Sequence, residues 1–310
     1  MSELDMVVNI LAMGVPLSVP ILLASIGEAV SERAGVLNIC IEGYMLMGSI
    51  AAYLVAYYVG NIYLAVVIAI LASIAVALLH GYGTINLGCS QLLSGIGINI
   101  LVAGIAVVLY REMIFKYATI PPKVVMFENI NIPALSDIPV VGPILFRQNP
   151  LFYLGVVLSV LLWYFIKYTY LGLMIRAVGE DPLTVDTSGF SPVIARYMGL
   201  IIGSATAGLG GAYLVLGYLG WFAPGITGGK GFIALAIVIA ANWNPIVCLL
   251  VSYLFGAIDA IQLRFQVGGY EMIAPFLMAV PYAFTIVILV LRRKVFVPKA
   301  LAKPYVREEE

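Results

Sequence analysis

Apolar residues run almost without interruption along most of this chain. Between Ala34 and Tyr110 the single charged side chain is Glu42, and between Tyr197 and Leu263 there are only Lys230 and Asp259. Stretches of that kind belong in lipid, where a spanning helix needs ~20 apolar residues. Breaking them at Gly, Pro and Asn turns predicts spans near 6–30, 36–58, 62–79, 94–110, 151–166, 197–219, 232–242, 245–261 and 272–291. The seventh is too short to cross alone and is expected to begin in the Gly-rich stretch before it. The expected fold class is therefore all-α, a polytopic membrane protein of about nine transmembrane helices, with a range of about eight to ten.

Composition agrees with this reading and removes alternatives. Of 310 residues, 63% are apolar and 10% charged, with a mean hydropathy of +1.07. A soluble globule of this size is excluded. Sixteen basic and sixteen acidic side chains balance, so the electrostatic route to nucleic acid is closed. Cys40, Cys89 and Cys248 are scattered in apolar runs and His80 is the single histidine, which gives neither a disulfide framework nor a metal site. No cofactor is expected. The N-terminus is acidic and lacks the basic flank of a cleaved signal peptide, so the first span reads as permanent.

The sparse charges set the topology. Alternating sides along the spans groups Arg33, Lys167, Arg176, Arg196, Arg292, Arg293, Lys294, Lys299, Lys303 and Arg307 against Arg111, Lys116, Lys123, Arg147, Lys230 and Arg264. The larger set is expected in the cytoplasm. This puts the N-terminus outside and the C-terminus inside a cell membrane. Residues 111–150 become an extracytoplasmic loop, either a solvated linker or a docking surface, and 167–196 a cytoplasmic segment.

The run from Glu42 to Leu54 resembles that from Lys230 to Asn242, Gly43 matching Gly231 and Tyr44 matching Phe232. Met13-Gly14 likewise matches Met198-Gly199. Four spans, one separator and four more spans place the halves, about 6–110 and 197–291, in opposite orientation. Two inverted four-helix repeats are a transporter architecture, with the substrate path where the halves meet.

A search for catalysis is nearly empty. His80 is expected at a span end in an interfacial role, and Pro224-Gly-Ile-Thr-Gly-Gly-Lys-Gly231 lacks the first Gly and the final Ser/Thr of a phosphate loop. The chain is not expected to be an enzyme or to bind ATP. Deep carboxylates would suggest ion coupling, but Glu28 is expected at an interface and no buried acidic pair stands out. Glu42, about 9 Å into its span, is expected to snorkel or to pair with Arg33. Asp259 and Gln262 share a helix face, as a polar pore wall or a solvated helix end. The small residues from Gly203 to Ala212 read as tight helix packing. The expected path residues are Asn38, Glu42, Asn99, Thr227, Lys230, Asp259 and Gln262; for a neutral cargo Asn38, Asn99, Thr227 and Gln262 are expected to matter more than the charges of Glu42 and Lys230.

The segment Ala177-Val-Gly-Glu-Asp-Pro-Leu-Thr-Val-Asp-Thr-Ser-Gly189 predicts a short helix, with Asp181 as N-cap, Pro182 at the first position and Gly189 at the stop. Such a helix between two spans suits contact with a soluble motor, or serves as an interfacial linker. This segment is similar to the coupling segment of ABC-importer permeases of the branched-chain amino acid, simple sugar and nucleoside class. Glu32-Arg-Ala-Gly-Val-Leu-Asn-Ile-Cys-Ile-Glu-Gly-Tyr-Met-Leu-Met-Gly48 resembles a signature of the nucleoside or simple-sugar branch. Gly217-Tyr-Leu-Gly-Trp-Phe-Ala-Pro-Gly-Ile-Thr-Gly-Gly-Lys-Gly-Phe-Ile-Ala-Leu-Ala236 and Asn242-Trp-Asn-Pro245 extend it. Thr184-Val185 and Ser188 stand where relatives often carry Ala.

The resemblance implies a membrane subunit with a second related permease, ABC ATPase subunits and an extracytoplasmic substrate-binding protein as partners, the lipid bilayer as surroundings and no nucleic acid. It implies nucleosides, then simple sugars, as cargo, and Gly179, Glu180, Asp181, Pro182, Asp186 and Gly189 as residues of the ATPase contact. The rival reading is an ion-coupled secondary transporter or channel for a small polar solute.

Overall fold

The structure, a computed structural model, describes residues 3–116, 121–267 and 296–305, with isolated positions between 279 and 290. Four helices come first: α1 (Glu3–Arg33), α2 (Ile41–Val59), α3 (Ile62–Gly81) and α4 (Gln91–Tyr110). A small ribbon follows, β1 (Ile130–Asn131) antiparallel to β2 (Arg147–Gln148), with the one-turn helix α5 (Val141–Leu145) between them. The chain continues as α6 (Pro150–Tyr168), α7 (Tyr170–Glu180), α8 (Pro182–Thr187), α9 (Pro192–Tyr213), α10 (Lys230–Ala240) and α11 (Pro245–Val267).

Among the described residues six helical stretches are long and apolar enough to cross a membrane: Met6–Arg33, Ile62–Asn86, Gln91–Ile114, Pro150–Tyr168, Pro192–Leu219 and Pro245–Gln266. The protein is a polytopic helical membrane protein. Helix α2 matches the second predicted span in place, but Glu42 and its tyrosines lower its hydropathy. Helix α10 is short, as its sequence requires. The Gly-rich stretch before it adds no helix, because Gly220, Gly225, Gly228 and Gly229 all hold positive φ and turn the chain. The predicted span 272–291 lies outside the described residues, isolated helical positions apart.

Helix α9 is buried along almost its whole length and packs against α1, α2 and α3. Its small residues make that possible. A Cβ on Gly211 would lie 1.9 Å from the Met45 carbonyl oxygen, and one on Gly48 would lie 2.4 Å from that of Gly208. Backbones therefore touch where α2 crosses α9, the contact that small residues permit in lipid.

The helix bundle has two different ends. At one, the described part of 111–150 lies on the C-terminal half of α2 and on the helical turn that follows α9: Val124 and Phe127 donate their backbone N–H to Gly220 and Leu216 (both 2.8 Å), and the Tyr53 hydroxyl donates to the Pro122 carbonyl (2.9 Å). At the other, α7 and α8 sit beside the end of α1 and the start of α9. Residues 296–305 return there. Ala300 donates its N–H to Gly179 (2.8 Å) and Ala302 to Gly35 (3.3 Å).

Candidate functional site

Helices α2 and α10 meet at their N-termini and run apart towards opposite ends of the bundle. The meeting is made by one side chain. Both oxygens of Glu42 accept backbone N–H bonds, from Gly229 (2.8 Å) and Gly231 (2.7 Å). The first turn of a helix leaves N–H groups without partners and carries positive partial charge, so a carboxylate there satisfies both needs. Gly231 has to be glycine, since a Cβ would lie 2.7 Å from the Cα of Glu42. Glu42 thus neither snorkels nor pairs with Arg33, as the sequence led us to expect. Arg33 donates instead to the carbonyls of Trp243 (Nε, 3.0 Å) and Asn242 (3.5 Å) just past α10.

Asn99 of α4 secures the same crossing from the other side. Its Oδ1 accepts from the Gly43 N–H (2.8 Å) and its Nδ2 donates to the Ile39 carbonyl (2.9 Å), which holds the first turn of α2. Beside these groups lies a cavity of about 210 Å³, lined by Glu42, Asn99 and Thr227 together with Leu46, Ala103 and Val107. It is smaller than the ~300–1,000 Å³ of ordinary ligand pockets. Three of the seven predicted path residues therefore share one small, mostly apolar cavity.

The other four lie elsewhere. Lys230 and Asp259 face one another across α10 and α11, Nζ to Oδ2 3.9 Å, with little exposure. Gln262 is half-buried one turn further along α11. Asn38 is wholly buried and does not line that cavity. It donates its N–H and Nδ2 to the two oxygens of Glu28 (3.1 and 2.9 Å), with Ser31 Oγ 2.7 Å from the same Nδ2.

One sequence expectation is overturned here, and two residues are more fully covered than their sequence suggests. Glu28, expected at an interface, is fully buried in the protein, where the chain after α1 folds back on it and Asn38 donates to its carboxylate. Glu32, one turn on, is also buried and accepts from the Trp243 indole N–H, so a buried acidic pair exists. His80 is buried too, with Nδ1 3.0 Å from Ser94 Oγ. The signal that could have located the pair is its i, i+4 spacing beside Arg33 and a tryptophan downstream. Partners this distant in sequence leave no local trace.

The segment after α6 follows its sequence closely. Thr169 caps α7 by accepting from the Gly172 N–H (3.1 Å). Asp181 caps α8: Oδ1 accepts from the N–H groups of Leu183 (3.1 Å) and Thr184 (3.4 Å), and Oδ2 from the Thr184 hydroxyl (2.6 Å). These bonds, the Thr184 hydroxyl first, hold the Asp181 carboxyl below its ordinary pKa. Pro182 takes the first helical position. At the far end Phe190 donates its N–H to Val185 (3.2 Å) and Gly189 to Asp186 (3.0 Å), a Schellman stop with Gly189 at φ +85°.

Val185 alone of α8 is buried, against Val178 and Ala195. Leu183, Thr184, Thr187 and Ser188 stand exposed, with Glu180 and Asp181 at the preceding corner. Gly179 is buried and pressed on α1, a Cβ there lying 2.0 Å from the Arg33 carbonyl oxygen. The Tyr305 hydroxyl donates to Asp186 Oδ2 (2.8 Å), so the returning chain touches α8 directly. Sequence reasoning missed this strap. The apolar Ala300-Leu301 pair between Pro298 and Pro304 was its signal.

The geometry is that of a membrane body with a rigidly mounted, outward-facing helix at one end. Comparison with known proteins agrees. The family described as branched-chain amino acid transport system / permease component matches residues 10–291. The nucleoside ABC transporter permease protein NupC of Lactococcus lactis is 32% identical over 308 residues, 94% of this chain and 95% of that protein. The guanosine ABC transporter permease protein NupQ of Bacillus subtilis is 31% identical, covering 97% of this chain and 98% of its own length. A putative glucose ABC transporter permease of Haloferax volcanii is 37% identical over 79% of this chain and 74% of its own. No solved structure matches. The chain belongs to this family of transport-system permease components.

Proposed function

We propose that this permease forms one half of the membrane pore of an ABC importer that carries nucleosides, or failing that simple sugars. A second related permease would complete the pore. ATP hydrolysis would fall to separate ABC subunits in the cytosol, and an extracytoplasmic binding protein would deliver cargo to the 111–150 end. The N-terminus would then lie outside and the C-terminus inside. The observation that carries this reading is α8: a helix closed by caps at both ends, docked on the body through Val185 and on the returning chain through Asp186, with Leu183, Thr184 and Thr187 exposed. Gly179, Glu180, Asp181, Pro182, Asp186 and Gly189 would shape the ATPase contact. Gly179 and Gly189 would act through the backbone, the acidic residues at or beside the surface.

The inverted-repeat reading, with about nine spans and halves near 6–110 and 197–291, is supported by the opposed directions of α2 and α10 from their shared N-terminal contact. Cargo would pass beside that contact. Because the polar atoms of Glu42 and Asn99 are already engaged, they would shape the path. Thr227, Gln262 and the Lys230–Asp259 pair would be left to face cargo, and Asn38 would hold the wall from behind.

One observation favours the rival, ion-coupled reading: the buried pair Glu28 and Glu32. Their bonds to Asn38 and Trp243 make them structural in the present proposal. The deciding experiment isolates the chain in mild detergent, identifies what copurifies, and measures uptake of labelled uridine, adenosine and ribose by the reconstituted complex. ATP-dependent uptake with an ATPase in the complex is expected. Uptake that persists without ATP, and collapses with the ion gradient, would replace this reading by the ion-coupled one.

A further inference from the structure

At the α8 end of the bundle two adjoining cavities, about 180 and 260 Å³, open between the end of α1, α6, α7, the turn before α11 and the returning chain. Arg33, Arg176 and Trp243 line both; Lys167 and Trp163 close one side, Glu180 the other. Three cations face one carboxylate. Among the described residues no acidic group lies within ion-pair distance of Arg33, Arg176 or Lys167. Arg176 is half-buried, and its Nε is shut off from solvent with no acceptor. A buried donor left without a partner is costly, and like charges gathered in a pocket repel. An anion held between the three cations would offset that repulsion.

We propose that this pocket binds a phosphate group, with the guanidinium of Arg176 as its principal donor and Lys167 at its rim. A guanidinium presents paired N–H donors that match phosphate oxygens. Each cavity has several times the ~30 Å³ share of one water, enough for a phosphate with its ester substituent. The surroundings favour a lipid headgroup as the source. Lys167 lies 5.1 Å from the ring centres of both Trp163 and Tyr168, and Tyr164, Tyr168 and Tyr170 are exposed nearby. Trp, Tyr and Lys at a span end mark the headgroup level of a bilayer, where basic pockets between helices take anionic headgroups. The site is separate from the Glu42 cavity and does not depend on which cargo the permease carries.

The test uses the full-length chain in detergent and native mass spectrometry with added phosphatidylglycerol or phosphatidylcholine, and with inorganic phosphate or glycerol phosphate as competitors. Phosphatidylglycerol is expected to bind tighter than phosphatidylcholine. The preference should weaken about fivefold in Arg176→Gln and in Lys167→Gln, and roughly 25-fold in both together. Arg176→Lys should keep most of it. Lys116→Gln, an exposed position beyond α4 at the other end, should change nothing. Competition by inorganic phosphate at low concentration would assign the same site to a soluble phosphate instead. Lys167 is exposed, so its variant reports even if Arg176→Gln folds poorly. Equal binding of the two lipids with no competition by phosphate, or equal losses in Lys116→Gln and Lys167→Gln, would overturn the proposal.

Discussion

Two carboxylates in this permease do the same job in different places. Asp181 caps α8 and Glu42 caps α10, each accepting two backbone N–H bonds at a helix start. Asp181 belongs to the helix it caps, reaches two and three residues ahead, and stands in solvent. Glu42 reaches across 187 residues to a helix it does not belong to, inside the bundle. The first is a local decision that water would otherwise make almost as well. The second is a tertiary bond whose loss leaves two partly buried amides without their acceptor, so removing it should damage the whole body and not one turn.

The largest expected effect follows from that difference. Glu42→Leu strips the acceptor from the N–H groups of Gly229 and Gly231. Hydrogen bonds to charged groups contribute ~1.5–3 kcal/mol each, and a half-buried site belongs at the low end, so about 3 kcal/mol is at stake. That is a large part of a typical margin of stability. The purified variant should melt well below the wild type in detergent, with little protein recovered from membranes. Glu42→Gln keeps one acceptor oxygen and should fall between them. If Glu42→Leu melts like the wild type, the crossing of α2 and α10 does not depend on this bond.

The second effect moves to the exposed helix and separates function from folding. Gly189 holds φ +85° with open space around it. Proline is locked near φ −65°, so Gly189→Pro must undo the Schellman stop and tilt α8. We expect the variant to insert and to melt near the wild type, with ATP-driven uptake lost and ATP hydrolysis by the partner no longer tied to transport. Normal uptake in a properly inserted Gly189→Pro protein would remove α8 from the coupling route.

The same contrast explains what could be read from the sequence. The whole of α8 was legible because N-cap, first-position proline and terminal glycine act within ten residues of chain. Tight packing of α9 was legible as well, since small residues have few other uses in lipid. Glu42 was legible as important and misassigned in partner, because Arg33 is near in sequence and the amides of Gly229 and Gly231 carry no side-chain signal. Asn99 and Thr227 line one cavity with it, yet Asn99 spends both polar atoms on α2. The buried Glu28 and Glu32 were missed for a related reason. Helix ends usually sit at an interface, and the partners of these two, Asn38 on the fold-back and Trp243, lie outside their helix.

A third, smaller effect tests the Asp181 cap directly. Asp181→Ala should lower uptake while leaving the melting temperature of the body unchanged, because α8 is held from beneath by Val185 and its far end is intact. Asp181→Asn keeps an oxygen for the Leu183 and Thr184 amides and should retain most activity, as Asn caps nearly as well as Asp. If Asn is as damaging as Ala, the charge of Asp181 matters to the partner and the cap does not.

The smallest effect is the acid response of α8. The Thr184 hydroxyl, then the amides of Thr184 and Leu183, hold the Asp181 carboxyl below its ordinary value of 3.8. A group whose folded pKa is lowered contributes stability above its unfolded pKa and loses that contribution as pH falls through the folded one. Between pH 8 and 5 the cap should therefore show no pH dependence. Below pH 4 it should weaken, and α8 should fray from its N-terminal end while Val185 stays docked. Hydrogen exchange of the peptide spanning 181–190, corrected for intrinsic rates, should rise in that acid window alone. In Asp181→Asn the rise should disappear, since no proton is taken up. Acid fraying that persists in Asp181→Asn would shift its cause to another carboxyl at this end of the bundle, with Asp186, which accepts from Tyr305, the next to replace.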